Sequence, residues 1–160
     1  MYVYRITSTR YAHDISGEGA RLYGGRWNSK GTRMLYTAEN PALAMLEALA
    51  HITSMSVQRE FSIVQIACPD EWFLPEKNLF RKITVDNIPA NWQQSPPPEA
   101  LATIGDNFME QGKFIALQVP SVLIPECSNY LFNCQHSLFT KLKISEVKPV
   151  RFDMRLIHNS

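Results

Sequence analysis

A chain of 160 residues, 45% hydrophobic and 19% charged, is one globular domain's worth of sequence and has none of the bias of disordered or fibrous proteins. Its formal net charge of +1, with acids and bases interspersed, supplies no electrostatic footprint for wrapping DNA or RNA. No signal-peptide core and no apolar run near the roughly 18 residues of a membrane helix are present, so the chain is expected in the cytoplasm without direct nucleic-acid or membrane binding.

Tyr2 to Ile6 alternates aromatic and β-branched residues and predicts an opening strand; Arg33 to Ala38 predicts a second, after a glycine-rich excursion. Asn40 is a natural N-cap and Pro41 suits the first helical position, which predicts a helix from Ala42 to about Thr53. Phe61 to Ala67 predicts a strand. Pro89 to Pro98, with Trp92 and three consecutive prolines, is excluded from a central strand and predicts a surface loop or lid. Pro98 opens and Gly112 stops a helix over Glu99 to Gln111. The remainder predicts short strands at Phe114 to Val119, Val122 to Ile124, Asn129 to Phe132, Leu142 to Val147 and Val150 to Met154. Helices and strands that do not alternate regularly point to a single α+β domain over residues 1–160, with a mixed or antiparallel sheet.

The chemistry-bearing residues concentrate between Ser16 and His51. Gly24 and Gly25 precede Arg26, whose planar fork suits phosphate or carboxylate oxygens. The glycine pattern is neither a dinucleotide fingerprint nor a Walker loop, and alone such a pair is more often a tight turn than a ligand cradle. Glu47 sits among apolar helix neighbours. Paired with His51 at i,i+4 it would occupy a narrow solvated strip; lowered into a cleft it would be a functional carboxylate. Among Tyr2, Tyr4, Tyr23, Trp27 and Tyr36, the last is best placed to stack on a flat ring. Cys68, Cys127 and Cys134 lack Cys-x-x-Cys spacing and predict reduced thiols, and Cys127, Cys134 and His136 match no common zinc pattern, so no metal is expected. Ser121 has no nucleophile elbow, which leaves it a hydrogen-bonding role or none.

Several segments, in order along nearly the whole chain, resemble the RES domain family. They are Ser16-Gly-Glu-Gly-Ala20, Gly24-Gly-Arg-Trp-Asn28, Tyr36-Thr-Ala38, Ala44-x-x-Glu47-x-x-x-His51, Val119-Pro-Ser121, Asn129-Tyr-Leu-x-Asn133-x-x-His136 and Phe152-Asp-x-Arg-Leu156. Cys134 departs from the pattern, where proline is expected after the asparagine. The resemblance implies a fold similar to ADP-ribosyltransferases and a bacterial toxin of a type II toxin-antitoxin pair, with NAD as substrate and no separate cofactor. Its implied partner is a helix-turn-helix antitoxin of the Xre type, with a homodimer possible inside that complex.

Breaking the nicotinamide bond builds positive charge on the ribose, which a carboxylate stabilises. The resemblance accordingly implies that Glu47 faces the ribose, Arg26 grips the pyrophosphate and Gly25 admits the backbone to it. Tyr36 would stack on nicotinamide or its ribose, Arg5 on the first strand would seat the dinucleotide, and Ser121 would orient substrate or acceptor. ADP-ribose would pass to water or phosphate; the alternatives are transfer to a protein target, or an inactive binding module with the same fold. A ribonuclease is disfavoured by the near-neutral charge.

Overall fold

The computed structural model describes residues 1–51 and 60–156. Within them, β1 (Tyr2–Ser8), α1 (Glu18–Tyr23), β2 (Met34–Ala38), α2 (Pro41–Leu49), β3 (Phe61–Ala67), β4 (Phe80–Lys82), α3 (Glu99–Gln111), β5 (Ala116–Pro120), β6 (Ser128–Asn133) and β7 (Lys143–Val150) follow one another, with short 3-10 turns between. The seven strands form one sheet in the order β4-β5-β6-β2-β1-β3-β7. Every neighbouring pair is antiparallel except β4 with β5, so the sheet is mixed and the class α+β.

The two faces of the sheet divide the molecule. Tyr4 of β1 stands opposite Ala38 of β2, so Tyr4, Ile6, Tyr36 and Ala38 share the face on which Leu43 and Ala44 of α2 are packed. Alternation sends Val3 to the other face, where it joins Leu35, Val64, Ile66, Trp72 and Phe132. The α2 face continues into a second cluster, in which Leu101 and Phe108 of α3 meet Trp27, Met34, Trp92, Leu117 and Leu131. Gly105 lets α3 close on the preceding loop: a Cβ there would fall 1.7 Å from the Trp27 carbonyl oxygen. Any side chain at that position forces helix and loop apart.

Several expectations need correcting. The glycine-rich excursion contains α1, a six-residue helix flanked by Gly17 and Gly24 at φ 73° and 71°; both ends rely on a left-handed backbone that glycine adopts without strain. Val122 to Ile124 is a turn, because the Ser121 hydroxyl accepts the amides of Leu123 and Ile124 and draws the chain out of extended form. The two terminal strands are one, β7, which runs through Pro149 at the sheet edge, where a missing N–H costs no ladder bond; beyond it Met154–Leu156 is a 3-10 turn. β4 is too short to announce itself. α2 ends at Leu49, and Ile52 and Thr53 lie outside the described residues. No helix among the described residues is long and apolar enough to cross a membrane.

Candidate active site

The N-cap of α2 forms as its residue types dictate: Asn40 Oδ1 accepts the Leu43 amide at 2.8 Å and Pro41 takes the first turn. Leu43 and Ala44 then face the sheet, and Glu47, four and three residues on, follows the same stripe inward. Its Oε1 accepts the Ser121 hydroxyl at 2.8 Å and the Asn129 side-chain amide at 2.7 Å. The half-buried carboxylate is thus oriented by the end of β5 and the start of β6. Both donors go to one oxygen, and Oε2 takes no protein partner among the described residues. His51 is exposed beyond the helix, so Glu47 is not part of a solvated Glu47–His51 strip.

Ser121 is 0% exposed, and its oxygen already accepts two backbone amides while its proton goes to Glu47. The structure thus places the Ser121 hydroxyl against the Glu47 carboxylate, which it helps to hold. Asn129, whose role the sequence leaves open, is its counterpart. One signal for it stands in β6, where Asn129 shares its face with Leu131 and Asn133, an inward position at which an amide calls for a partner.

The loop before β2 is held just as closely. Asn28 is 1% exposed; its Nδ2 donates to the carbonyls of Ala20, Ser29 and Thr32, and its Oδ1 accepts the Tyr36 hydroxyl at 2.7 Å. The Trp27 amide donates to the same hydroxyl at 3.0 Å, and Asp106 of α3 accepts the Ser29 amide and the Thr32 hydroxyl. Burial pushes the Tyr36 hydroxyl's pKa well above its ordinary value, against the Trp27 amide, so it stays neutral. Gly25 owes its identity to this hydroxyl: a Cβ would stand 2.7 Å from it and 2.9 Å from Asn28 Oδ1. The absent side chain therefore accommodates Tyr36, and the left-handed turn belongs to Gly24.

Arg26 follows on the same loop. Its Nη1 donates to the carbonyls of Trp92 at 2.6 Å and Gln94 at 3.1 Å, and Nε and Nη2 have no protein acceptor among the described residues. Burial lowers its pKa from the ordinary arginine value, while the Glu47 carboxylate and Tyr36 act in the opposite sense, which places the Glu47 charge within the field of Arg26.

Arg5 does not join this group. It alternates with Tyr4 and Ile6 and so points to the opposite face of the sheet, where its Nη1 donates to the Asp14 carbonyl at 3.0 Å. Arg5, the predicted dinucleotide seat on β1, and Glu47 therefore stand on opposite faces of the sheet. Cys127 packs beside Ala38 and Leu43, while Cys134 lies against the opposite face, so the sheet separates them. Burial pushes the Cys134 thiol up to about 12, and a Cβ on Gly17 would stand 2.7 Å from its sulfur. No group of three His, Cys, Asp or Glu side chains among the described residues is placed to hold a metal ion. What the α2 face does assemble is an oriented carboxylate with one oxygen, and a guanidinium with two nitrogens, that have no protein partner among the described residues, together with a neutral tyrosine under the Arg26 loop. That donor set fits an anionic ligand on which positive charge develops.

The RES domain family model matches residues 2–154. The chain is 38% identical over 153 residues to Toxin Res of Yersinia enterocolitica, with 95% of each chain covered. It is 32% identical over 152 residues to the Prs ADP-ribosylating toxin of a Sphingobium strain, covering 95% of this chain and 92% of that one. In fold it is similar to the crystal structure of the M. tuberculosis MbcT-MbcA toxin-antitoxin complex, with a TM-score of 0.74 at 16% identity over 94% of this chain and 84% of that one. The match to the family model spans Arg26, Tyr36, Glu47, Ser121 and Asn129 alike, and the chain belongs to the RES domain family.

Proposed function

We propose that this protein is the toxin of a toxin-antitoxin pair, and that it cleaves the bond between nicotinamide and ribose in NAD. Nicotinamide leaves with the bonding electrons, and water or phosphate adds to the ribose carbon, giving ADP-ribose or its phosphate ester. The observation that carries this reading is the Glu47 carboxylate, tied through Oε1 to Ser121 and Asn129, with Oε2 taking no partner among the described residues. A fixed negative charge beside the ribose stabilises the cation that forms as the bond breaks, and needs no reorganisation at that moment. Arg26 supplies Nε and Nη2 to the pyrophosphate, and Tyr36 lines the wall between them as a neutral hydroxyl.

Relatives named Toxin Res support the toxin role, and the fold shared with a toxin-antitoxin complex supports an antitoxin partner. An Xre-type antitoxin would neutralise such a cleft most simply by covering its entrance, presenting an anionic group to Arg26. A relative named for ADP-ribosylation favours a second reading, in which a protein side chain takes the ADP-ribose. Purified protein given NAD labelled in the adenosine part separates the two. Free ADP-ribose or its phosphate supports cleavage, and label retained on a protein band supports transfer. NAD left unchanged both with and without added phosphate refutes the proposal.

A further inference from the structure

The loop from Ala90 to Gln94 is tied to both halves of the candidate site. Its carbonyls at Trp92 and Gln94 hold Arg26 Nη1, and the exposed Gln93 side chain reaches the other way, donating from Nε2 to the Val122 carbonyl at 3.0 Å. Val122 belongs to the turn that Ser121 caps, and Ser121 orients Glu47. Three consecutive residues thus span from the guanidinium to the carboxylate's support.

The strap is preformed. The Trp92 amide donates to the Pro89 carbonyl at 2.9 Å, the Gln94 amide to the Asn91 carbonyl at 3.0 Å, and the Asn91 side chain to that of Gln94 at 3.2 Å. The Trp92 indole, 7% exposed, is packed in the cluster of Trp27, Leu101 and Leu117. Besides these bonds and the Gln93 bridge, the indole is the loop's buried apolar anchor, and it helps fix where the two carbonyls stand. With Nη1 committed to them, the planar guanidinium loses its freedom to rotate, and the orientation of Nε and Nη2 is set before any ligand arrives.

We propose that Trp92 and Gln93 are positioning residues for Arg26: the buried indole and the bridge to Val122 hold the strap that orients its guanidinium on the Glu47 side of the sheet. The proposal rests on the reading of this site as an NAD-cleaving one for its kinetic consequence, and on geometry alone for its structural one.

The test therefore has two arms. In the first, Arg26 side-chain nitrogen resonances are recorded on the full chain. Wild-type protein is expected to show slow rotation about the Cζ–Nε bond; Trp92→Ala should show fast rotation, Gln93→Ala intermediate behaviour, and Trp92→Phe behaviour near wild type. In the second, KM and kcat for NAD are measured for the same variants alone and combined with Arg26→Ala. Trp92→Ala should raise KM with kcat nearly unchanged, lowering kcat/KM by roughly ten- to a hundredfold, the scale of an ångström's misplacement. In the Arg26→Ala background the same change should add nothing further to KM.

A Trp92→Ala protein that fails to fold leaves the exposed Gln93→Ala to decide. Guanidinium rotation as slow in Trp92→Ala, or in Gln93→Ala where Trp92→Ala does not fold, as in wild type overturns the proposal whatever the substrate. Additive losses with and without Arg26 overturn it too, since they would mark a general packing role. A wild-type protein that leaves NAD intact refutes the functional reading alone, and the resonance arm still stands or falls by itself.

Discussion

Asn129 Nδ2 donates to Glu47 Oε1 at 2.7 Å, the same oxygen that takes the Ser121 hydroxyl at 2.8 Å, although 82 and 74 residues separate the donors from the glutamate. Both act on one oxygen and so fix the plane of the carboxylate while leaving the other edge open. Glu47→Gln preserves an acceptor for both donors and removes only the charge. Its kcat for NAD is expected to fall by about 10²- to 10³-fold with the melting temperature nearly unchanged. Wild-type turnover in this variant, measured beside a thermal melt, removes Glu47 from the chemistry.

Ser121→Ala and Asn129→Ala are expected to differ. Either loses one donor to Glu47 and should lower kcat more than it raises KM. Ser121→Ala also strands the Leu123 and Ile124 amides, which adds about 1–3 kcal/mol of destabilisation that Asn129→Ala escapes. Denaturant melts of both variants check the difference, and equal stability losses would show that the turn after β5 does not depend on the serine.

Gly25→Ala should be strongly destabilising, because its Cβ meets the Tyr36 hydroxyl and Asn28 Oδ1, neither of which is the loose end of a flexible chain. Tyr36→Phe costs about 1–3 kcal/mol by itself, leaving the Trp27 amide and Asn28 Oδ1 without that partner. Combined, the two changes should cost less than their sum, since one removes an atom the other strikes. A double-mutant cycle by denaturant unfolding gives the coupling, and strict additivity would refute the steric account.

Arg5→Met should lower thermal stability, through loss of the bond to the Asp14 carbonyl, and leave KM for NAD unchanged. Arg26→Ala should raise that KM. A rise in KM for Arg5→Met measured in the same assay would place Arg5 at the dinucleotide after all.

Hydrogen bonds from Ser16, side chain then backbone, hold the Asp14 carboxyl below its ordinary pKa. The favoured form is the charged one, so its contribution to stability is complete above the unfolded carboxyl's value of about 4 and is lost as pH falls through the lower folded value. Unfolding followed from pH 6 to pH 2 should therefore show a shallower acid limb for Asp14→Asn. An unaltered limb would mean that Asp14 does not contribute.

Local information sufficed where the physics is local. The helix α2 starts where Asn40 and Pro41 say it should, α3 stops at Gly112, and β1, β2 and β3 stand where alternation puts them. Glu47, Arg26 and Tyr36 stand out in the sequence as candidates, since a carboxylate on an apolar stripe and an arginine after two glycines are unusual in themselves. Only the tertiary structure decided what these side chains do to one another. The parity of β1 puts Arg5 on the far face, a consequence of pairing register that no local pattern reveals. Gly25 is small for the sake of Tyr36, and Ser121 and Asn129 meet Glu47 only because β6 runs beside β2, and β5 beside β6, which brings distant segments under α2. The strap that holds Arg26 was visible as a proline-rich loop, but its carbonyls carry no residue identity, and main-chain acceptors acquire a role only when the fold brings a donor to them.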